Sequence, residues 1–227
     1  MAALGCSLIA AKAKRATDGR LFAFLFLAAF GSVLGARGLS VLLHPSESFL
    51  AVEWTGFSLS GAIVGIALFP LAVMRRRSLP LLDLASPALA IGIALAKVGC
   101  WTAQCCYGTP TDVPWAVQAP ADSVPKTLEF SFVTLAAPEI VVHPTPIYAI
   151  LSATAAFVLA LASLRASLRA GCAFLLTVAW IEAMRFVEFS YRTPDREAIL
   201  WPGAFSLALA CVALLLFQYL RKKGESP

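Results

Sequence analysis

Apolar residues in this chain gather in blocks of about twenty, and an α-helix of that length crosses a hydrocarbon core about 30 Å thick at about 1.5 Å rise per residue. That block length restricts the fold more than any motif does, because in lipid the backbone must satisfy its own hydrogen bonds and a helix does so within one segment. Six blocks are legible: Leu21 to Leu43, Phe49 to Met74, Leu79 to Trp101, Thr145 to Leu164, Gly171 to Tyr191 and Trp201 to Leu220. The 227 residues are 59% hydrophobic and 14% charged, well short of the roughly one quarter charged residues of a soluble domain. The expected fold is an all-α integral membrane protein, a polytopic bundle of about six transmembrane helices. A long outer loop over 102–145 separates the third from the fourth and holds Pro110, Pro114, Pro120, Pro125 and Pro138.

The placement of charge sets an expected orientation. Net charge is +5, and twelve of the eighteen basic residues fall in four clusters: Lys12/Lys14/Arg15/Arg20, Arg75/Arg76/Arg77, Arg165/Arg169 and Arg221/Lys222/Lys223. Basic clusters at alternate membrane ends are the positive-inside pattern. Residues 1–20 then form a cytoplasmic N-terminal segment leading into an uncleaved anchor. Residues 21–220 form a single transmembrane domain, and residues 221–227 a cytoplasmic tail. Both termini lie inside, and the loops near 44–50, 102–145 and 192–200 face outward, which in a bacterium is the periplasm or the outer surface of the cytoplasmic (inner) membrane. Trp54, Trp101, Trp115, Tyr191 and Trp201 lie mostly near those outer ends, as interfacial aromatics do. The basic groups are spread over short loops and ends, so the charge requires no nucleic-acid partner. Gly31-x3-Gly35 and Gly61-x3-Gly65 are candidates for close helix packing.

Ionisable residues inside a span cost about 2.5–3.5 kcal/mol at its centre on insertion scales. Here they are Arg37, Glu53, Asp83, Lys97, Glu182, Arg185 and Glu188. All but Asp83 fall in the outer half of their span, so four helices bring charge to one level, as a polar cavity open to the outer leaflet requires. Glu182, Arg185, Glu188 and Arg192 lie within about 120° on a helical projection and form one stripe. Intrahelical ion pairing is the structural alternative. Asp83, at the inner end of its helix, reads as an acid complementing the helix dipole, and Arg37 as either a site residue or a cation snorkelling to the interface.

His143-Pro144-Thr145-Pro146-Ile147-Tyr148 closes the outer loop. Thr145 reads as an N-cap with Pro146 at the first helical position, which accounts for neither His143 nor Tyr148. The other histidine, His44, reads as a solvated loop residue. Cys6, Cys172 and Cys211 read as small buried fillers. Cys100, Cys105 and Cys106 have no C-x-x-C spacing. Metal binding would call on a fourth ligand such as His143. A Cys100 disulfide with Cys105 or Cys106 and simple packing of a tight turn before Gly108 both stay open.

Taken together, these segments resemble one family. Lys97-Val98-Gly99-Cys100, followed by Tyr107-Gly108-Thr109-Pro110-Thr111, is similar to the signature segment of bacterial prolipoprotein diacylglyceryl transferases. His143 to Tyr148 resembles that family's His-Pro-Ser/Thr-Gln-Leu-Tyr. Arg185-Phe186-Val187-Glu188-Phe189, continuing to Arg192, Pro194 and Asp195, resembles its Arg-Phe and Glu-Phe-Phe-Arg-x-Pro-Asp. Gly35-Ala36-Arg37-Gly38 and the segment from Gly56 to Ala62 resemble two earlier motifs. Order and rough spacing agree from about Phe30 to Asp195. Ser60 stands where the family has His, Lys97 where it has Arg, and Cys100 and Cys105 where it has Asn and Glu.

The resemblance implies transfer of diacylglyceryl from phosphatidylglycerol to the thiol of a lipobox cysteine on a prolipoprotein, with release of glycerol phosphate and with no cofactor or metal. It implies catalytic roles for His143, Glu188 and Lys97. The implied substrate-binding set is Arg37, Arg185, Arg192, Tyr107, Tyr148, Gln104 and Ser60. The alternatives are a non-catalytic lipid-binding membrane protein, a related transferase with another acceptor, and a membrane thiol-redox protein using the three clustered cysteines.

Overall fold

A computed structural model of the chain describes residues 18–43, 58–118, 140–166, 168–192 and 196–225. The readings made for residues 1–17, His44, Glu53, Trp54, Gly56 and Pro194-Asp195 lie outside the described residues. The described chain is mostly helical: α1 (Asp18–Leu43), α2 (Leu59–Met74), a 3-10 turn (Arg75–Ser78), α3 (Leu79–Thr102), strands β1 (Val117–Gln118) and β2 (Val141–Val142), α4 (Thr145–Arg165), α5 (Cys172–Phe189) and α6 (Arg196–Glu225).

Among the described residues, three helical stretches are long and apolar enough to cross a membrane: Gly19–Leu42, the 44-residue stretch Leu59–Thr102 and Thr145–Arg165. At about 1.5 Å per residue the second is twice as long as one crossing needs. It is broken at Arg75, whose φ of 55° is left-handed and whose amide bonds back to the Leu71 carbonyl. The Ser78 hydroxyl donates to the Arg75 carbonyl at 2.8 Å, and Pro80 sits in the first turn of α3, where a missing N–H costs nothing. Arg75, Arg76 and Arg77 therefore occupy the turn between two apolar helices. The helix Ala204–Tyr219 within α6 is apolar but shorter, and α5 is 18 residues carrying Glu182, Arg185 and Glu188.

α1 packs on α2, α3 on α4 and α5, α4 on α5, and α5 on α6. The first contact depends on the two glycine pairs. A Cβ at Gly31 would overlap the Gly65 carbonyl, and one at Gly35 would overlap the Gly61 carbonyl. Two small-x3-small stripes thus face each other and let the backbones touch, the means by which helices associate without a hydrophobic driving force. The interior is built from Phe24, Ile63, Leu82, Ala90, Ala156, Phe174, Val178, Ile181 and Ala213, drawn from all six described α-helices. Outside, Phe22, Leu42, Val73, Leu95, Leu151, Val158 and Leu215 are exposed. An apolar exterior over an interior rich in Ala and Ser suits lipid as the surrounding solvent.

Three local expectations are corrected. Asp83 lies beyond the first turn of its own helix. Its Oδ2 accepts the Gly171 amide at 2.7 Å and its Oδ1 the Phe174 amide at 2.9 Å, so it caps the N-terminus of α5 from 88 residues away. The helix dipole that its charge complements is that of α5. Thr145 is the first helical residue rather than the N-cap, which is Pro144. Its hydroxyl instead donates to the Cys106 carbonyl. Of the cysteines read as buried fillers, Cys172 is buried and Cys211 is exposed.

Candidate active site

Three sequence segments far apart in the chain meet at one end of the bundle. The Gly108 amide donates to the His143 carbonyl at 2.9 Å, the His143 amide to the Thr109 carbonyl at 3.1 Å, and the Thr109 amide to the Tyr191 carbonyl at 2.7 Å. Gly108 is where all three touch: a Cβ there would collide with the Tyr191 carbonyl, the His143 side chain and Thr145. The α3 exit is also stitched to β2, since Pro110 bridges Val142 and β1 pairs antiparallel with β2, Val117 opposite Val142 and Gln118 opposite Val141.

On this platform sits an aromatic cluster. Ring centroids are 4.9 Å apart for His143 and Tyr191, 5.9 Å for Tyr148 and Tyr191, and 6.0 Å for His143 and Tyr148. The Tyr148 hydroxyl accepts from Trp115 Nε1 at 2.6 Å and pairs with His143 Nδ1 at 3.2 Å. With Val113, Ile147, Leu151, Met184, Val187 and Glu188, these residues line a cavity of about 680 Å³. Its wall is apolar and aromatic apart from His143, the Tyr hydroxyls and Glu188. Trp115 and Tyr191 are the residues that sequence reasoning noted only as interfacial aromatics. Neither has a motif of its own, and the signal was confined to their position at an outer end.

Glu188, buried, also lines a second, much smaller cavity of about 10 Å³ with Lys97, Arg185, Leu59 and Ser152. That space admits one water at most. Lys97 lies within electrostatic reach of Arg192, Glu188, Cys106 and Cys100, and Glu188 within reach of Lys97, Arg185 and Arg192. The structure therefore brings together Lys97, His143, Tyr148, Arg185, Glu188 and Arg192. Arg185 Nε lies 3.7 Å from Glu182 Oε2, and its guanidinium sits 5.5 Å from the centre of the Phe189 ring. The intrahelical pairing weighed as an alternative thus holds for Glu182 and Arg185, while Glu188 is turned to the cavities.

Ser60 is fully inside the bundle. Its hydroxyl donates to Glu182 Oε2 at 2.8 Å and lies 3.4 Å from the Ser206 hydroxyl. Glu182 is 0% exposed, and among the described residues its Oε1 and Arg185 Nε have no hydrogen-bond partner. Ser206 was not singled out from sequence, since one Ser in an apolar run carries no signal. Arg37 is buried on α1 and lines neither of the two cavities. Gln104 is exposed at the α3 exit. The Tyr107 ring is tilted 47° to that of Trp101 with centroids 5.7 Å apart, and burial, then Cys105, pushes the Tyr107 hydroxyl above the usual range.

The α3 exit is a Schellman ending. The Gln104 amide bonds to the Trp101 carbonyl at 3.1 Å and the Cys105 amide to the Cys100 carbonyl at 3.0 Å, with Gln104 in the left-handed position at φ 52°. Burial and the hydrogen bond with Cys106 push the Cys105 thiol up to about 11. Burial alone would raise Cys106 too, but Arg192, the bond with Cys105 and Lys97 hold it below its ordinary value.

The profile of the prolipoprotein diacylglyceryl transferase family matches residues 1–219. The chain belongs to that family. It is similar to the phosphatidylglycerol–prolipoprotein diacylglyceryl transferase of Geobacter sulfurreducens, 31% identical over 196 residues, covering 81% of this chain and 69% of that protein. The protein of the same name from Methylocella silvestris is 29% identical over 221 residues, 87% of this chain and 75% of that one. The one from Clostridium tetani is 28% identical over 139 residues, and there the match spans 58% of this chain and about half, 51%, of the relative.

Proposed function

We propose that this family member transfers diacylglyceryl from phosphatidylglycerol to a lipobox cysteine thiol at the outer face of a bacterial cytoplasmic membrane. The observation that carries the reading is Glu188, which forms a wall of both the large apolar cavity and the small cationic one. A lipid substrate needs that junction, with its chains on an apolar wall and its phosphate among cations. The exposed Leu151 and Val187 beside the large cavity continue the apolar wall toward lipid. The small cavity holds no phosphate as it stands, so the headgroup reaches Lys97 and Arg185 past Glu188.

In this reading the acceptor thiol gives up its proton to His143 or Glu188. Its sulfur attacks the diacylglycerol carbon that carries the phosphate ester, forming the C–S bond. The C–O bond breaks and its electron pair leaves with glycerol phosphate. Lys97, Arg185 and Arg192 offset the charge on the phosphate as it departs, and a thiolate rather than a thiol is the nucleophile. Tyr148, held by Trp115 and His143, orients the headgroup, with Tyr107 and Gln104 at the rim and Arg37 and Ser60 supporting from within. Six crossings with both termini in the cytoplasm put the basic clusters inside and this site outside.

The buried Ser60–Glu182 bond favours a second reading. Where the family resemblance leads to an expected His, this chain has a serine engaged in structure, which suits a protein that binds the lipid without turning it over. Lipid transfer in proteoliposomes with Lys97→Ala and Arg185→Ala separates them. The transferase reading expects at least a 100-fold loss in each, and full transfer by either variant contradicts it.

A further inference from the structure

The Sγ atoms of Cys100, Cys105 and Cys106 all lie within 4.8 Å of one another, and the α3 ending explains why. In a Schellman motif the side chain three residues before the cap meets the one two residues after it. Those two positions are Cys100 and Cys105. Cys106 is itself left-handed, at φ 65°, a conformation that costs a non-glycine residue energy, and it brings the third sulfur onto the first two. All three are free thiols, and Cys105 is exposed. With metal–sulfur bonds of about 2.3 Å, three sulfurs of a tetrahedral zinc site stand about 3.8 Å apart, so the thiols need to close by no more than about 1 Å.

We propose that Cys100, Cys105 and Cys106 bind one thiophilic cation of the zinc class, with the fourth position open to solvent beside Cys105. Three thiolates and a divalent ion carry a net charge of −1. Lys97 and Arg192, both within electrostatic reach of Cys106, offset it. Neither His143 nor a carboxylate is needed, and the fourth ligand is water. The proposal does not rest on the transferase reading, although Lys97 and Arg192 take part in both. It sits on the α3 exit, where a bound ion ties the end of the helix to the loop that carries Tyr107 and Gly108.

The test uses the full-length protein, purified in detergent under anaerobic reducing conditions and titrated with Co²⁺ as probe. The expected result is one equivalent bound with a thiolate-to-metal charge-transfer band, displaced by Zn²⁺. Co²⁺ binding weakens at least tenfold in each of Cys100→Ser, Cys105→Ser and Cys106→Ser, and is unchanged in Cys211→Ser. In the unmutated protein, Zn²⁺ slows alkylation of the three thiols together and leaves Cys211 reactive, a readout that needs no variant to fold. Absence of the band in reduced wild-type protein overturns the proposal. So does Co²⁺ affinity that stays within tenfold of wild type after loss of any one of the three cysteines, or alkylation of the three that Zn²⁺ leaves unslowed.

Discussion

Ser60 donates its hydroxyl hydrogen to Glu182 across 2.8 Å in the interior of the bundle, joining α2 to α5. Glu182 is completely buried and its second oxygen has no partner among the described residues, so the carboxylate depends on Ser60 and on Arg185 at 3.7 Å. Leaving a buried acceptor without its donor costs about 1–3 kcal/mol. Ser60→Ala should therefore lower the thermal midpoint in detergent by several degrees, and Ser60→Thr, which keeps a hydroxyl, should recover most of it. A midpoint unchanged in Ser60→Ala would show that the pair does not hold α2 against α5.

The glycine stripes make a sharper prediction about packing. Gly35 faces the Gly61 carbonyl and the Gly65 backbone too closely for any Cβ, while Gly38, one turn away, has nothing within 4 Å of where its Cβ would be. Gly35→Ala should destabilise by about 1–3 kcal/mol, the usual cost of overpacking. Gly38→Ala should be neutral or slightly stabilising, since Ala is favoured over Gly in a helix by up to about 1 kcal/mol. Thermal unfolding of the two variants side by side measures the difference, and equal midpoints would contradict the α1–α2 contact.

Much of this was legible beforehand, for reasons that differ by element. The position of α3 followed from block length: it was expected over Leu79 to Trp101 and runs Leu79–Thr102, because lipid leaves the backbone no other choice, whereas α2, expected from Phe49, starts at Leu59 behind the Ser58 N-cap. The glycine pairs were visible as spacing, but spacing alone does not say that the two stripes face each other. Charge lying at one membrane level pointed to the Lys97 and Arg185 segments, which line one small cavity, while His143 was tied to them only by the family resemblance. What stayed hidden was every contact between distant residues with no periodic signal. Asp83 reaches Gly171 and Phe174, Ser206 reaches Ser60, and Trp115 reaches Tyr148. The Thr145 hydroxyl was read as serving its own helix because local capping is the common case, and a neighbouring carbonyl at Cys106 took it instead.

Tyr148 is the hinge of the aromatic cluster, since one hydroxyl takes the Trp115 indole N–H and faces His143 Nδ1 at once. Tyr148→Phe keeps the ring and removes both bonds, each worth about 0.5–1.5 kcal/mol net. The expected outcome is a transfer rate about tenfold lower with the fold intact, together with a shift in Trp115 emission as its N–H turns to water. Wild-type transfer with unaltered emission would place Tyr148 outside the working site.

The central claim is that this chain turns phosphatidylglycerol over and does more than hold it. Purified wild-type protein incubated with headgroup-labelled phosphatidylglycerol and a lipobox peptide tests that directly, with the peptide product read by mass spectrometry. The account predicts a peptide heavier by one diacylglyceryl group in thioether linkage, with labelled glycerol phosphate released in equal amount. Phosphatidylglycerol that binds to the protein while the peptide stays unmodified and no glycerol phosphate appears would contradict it.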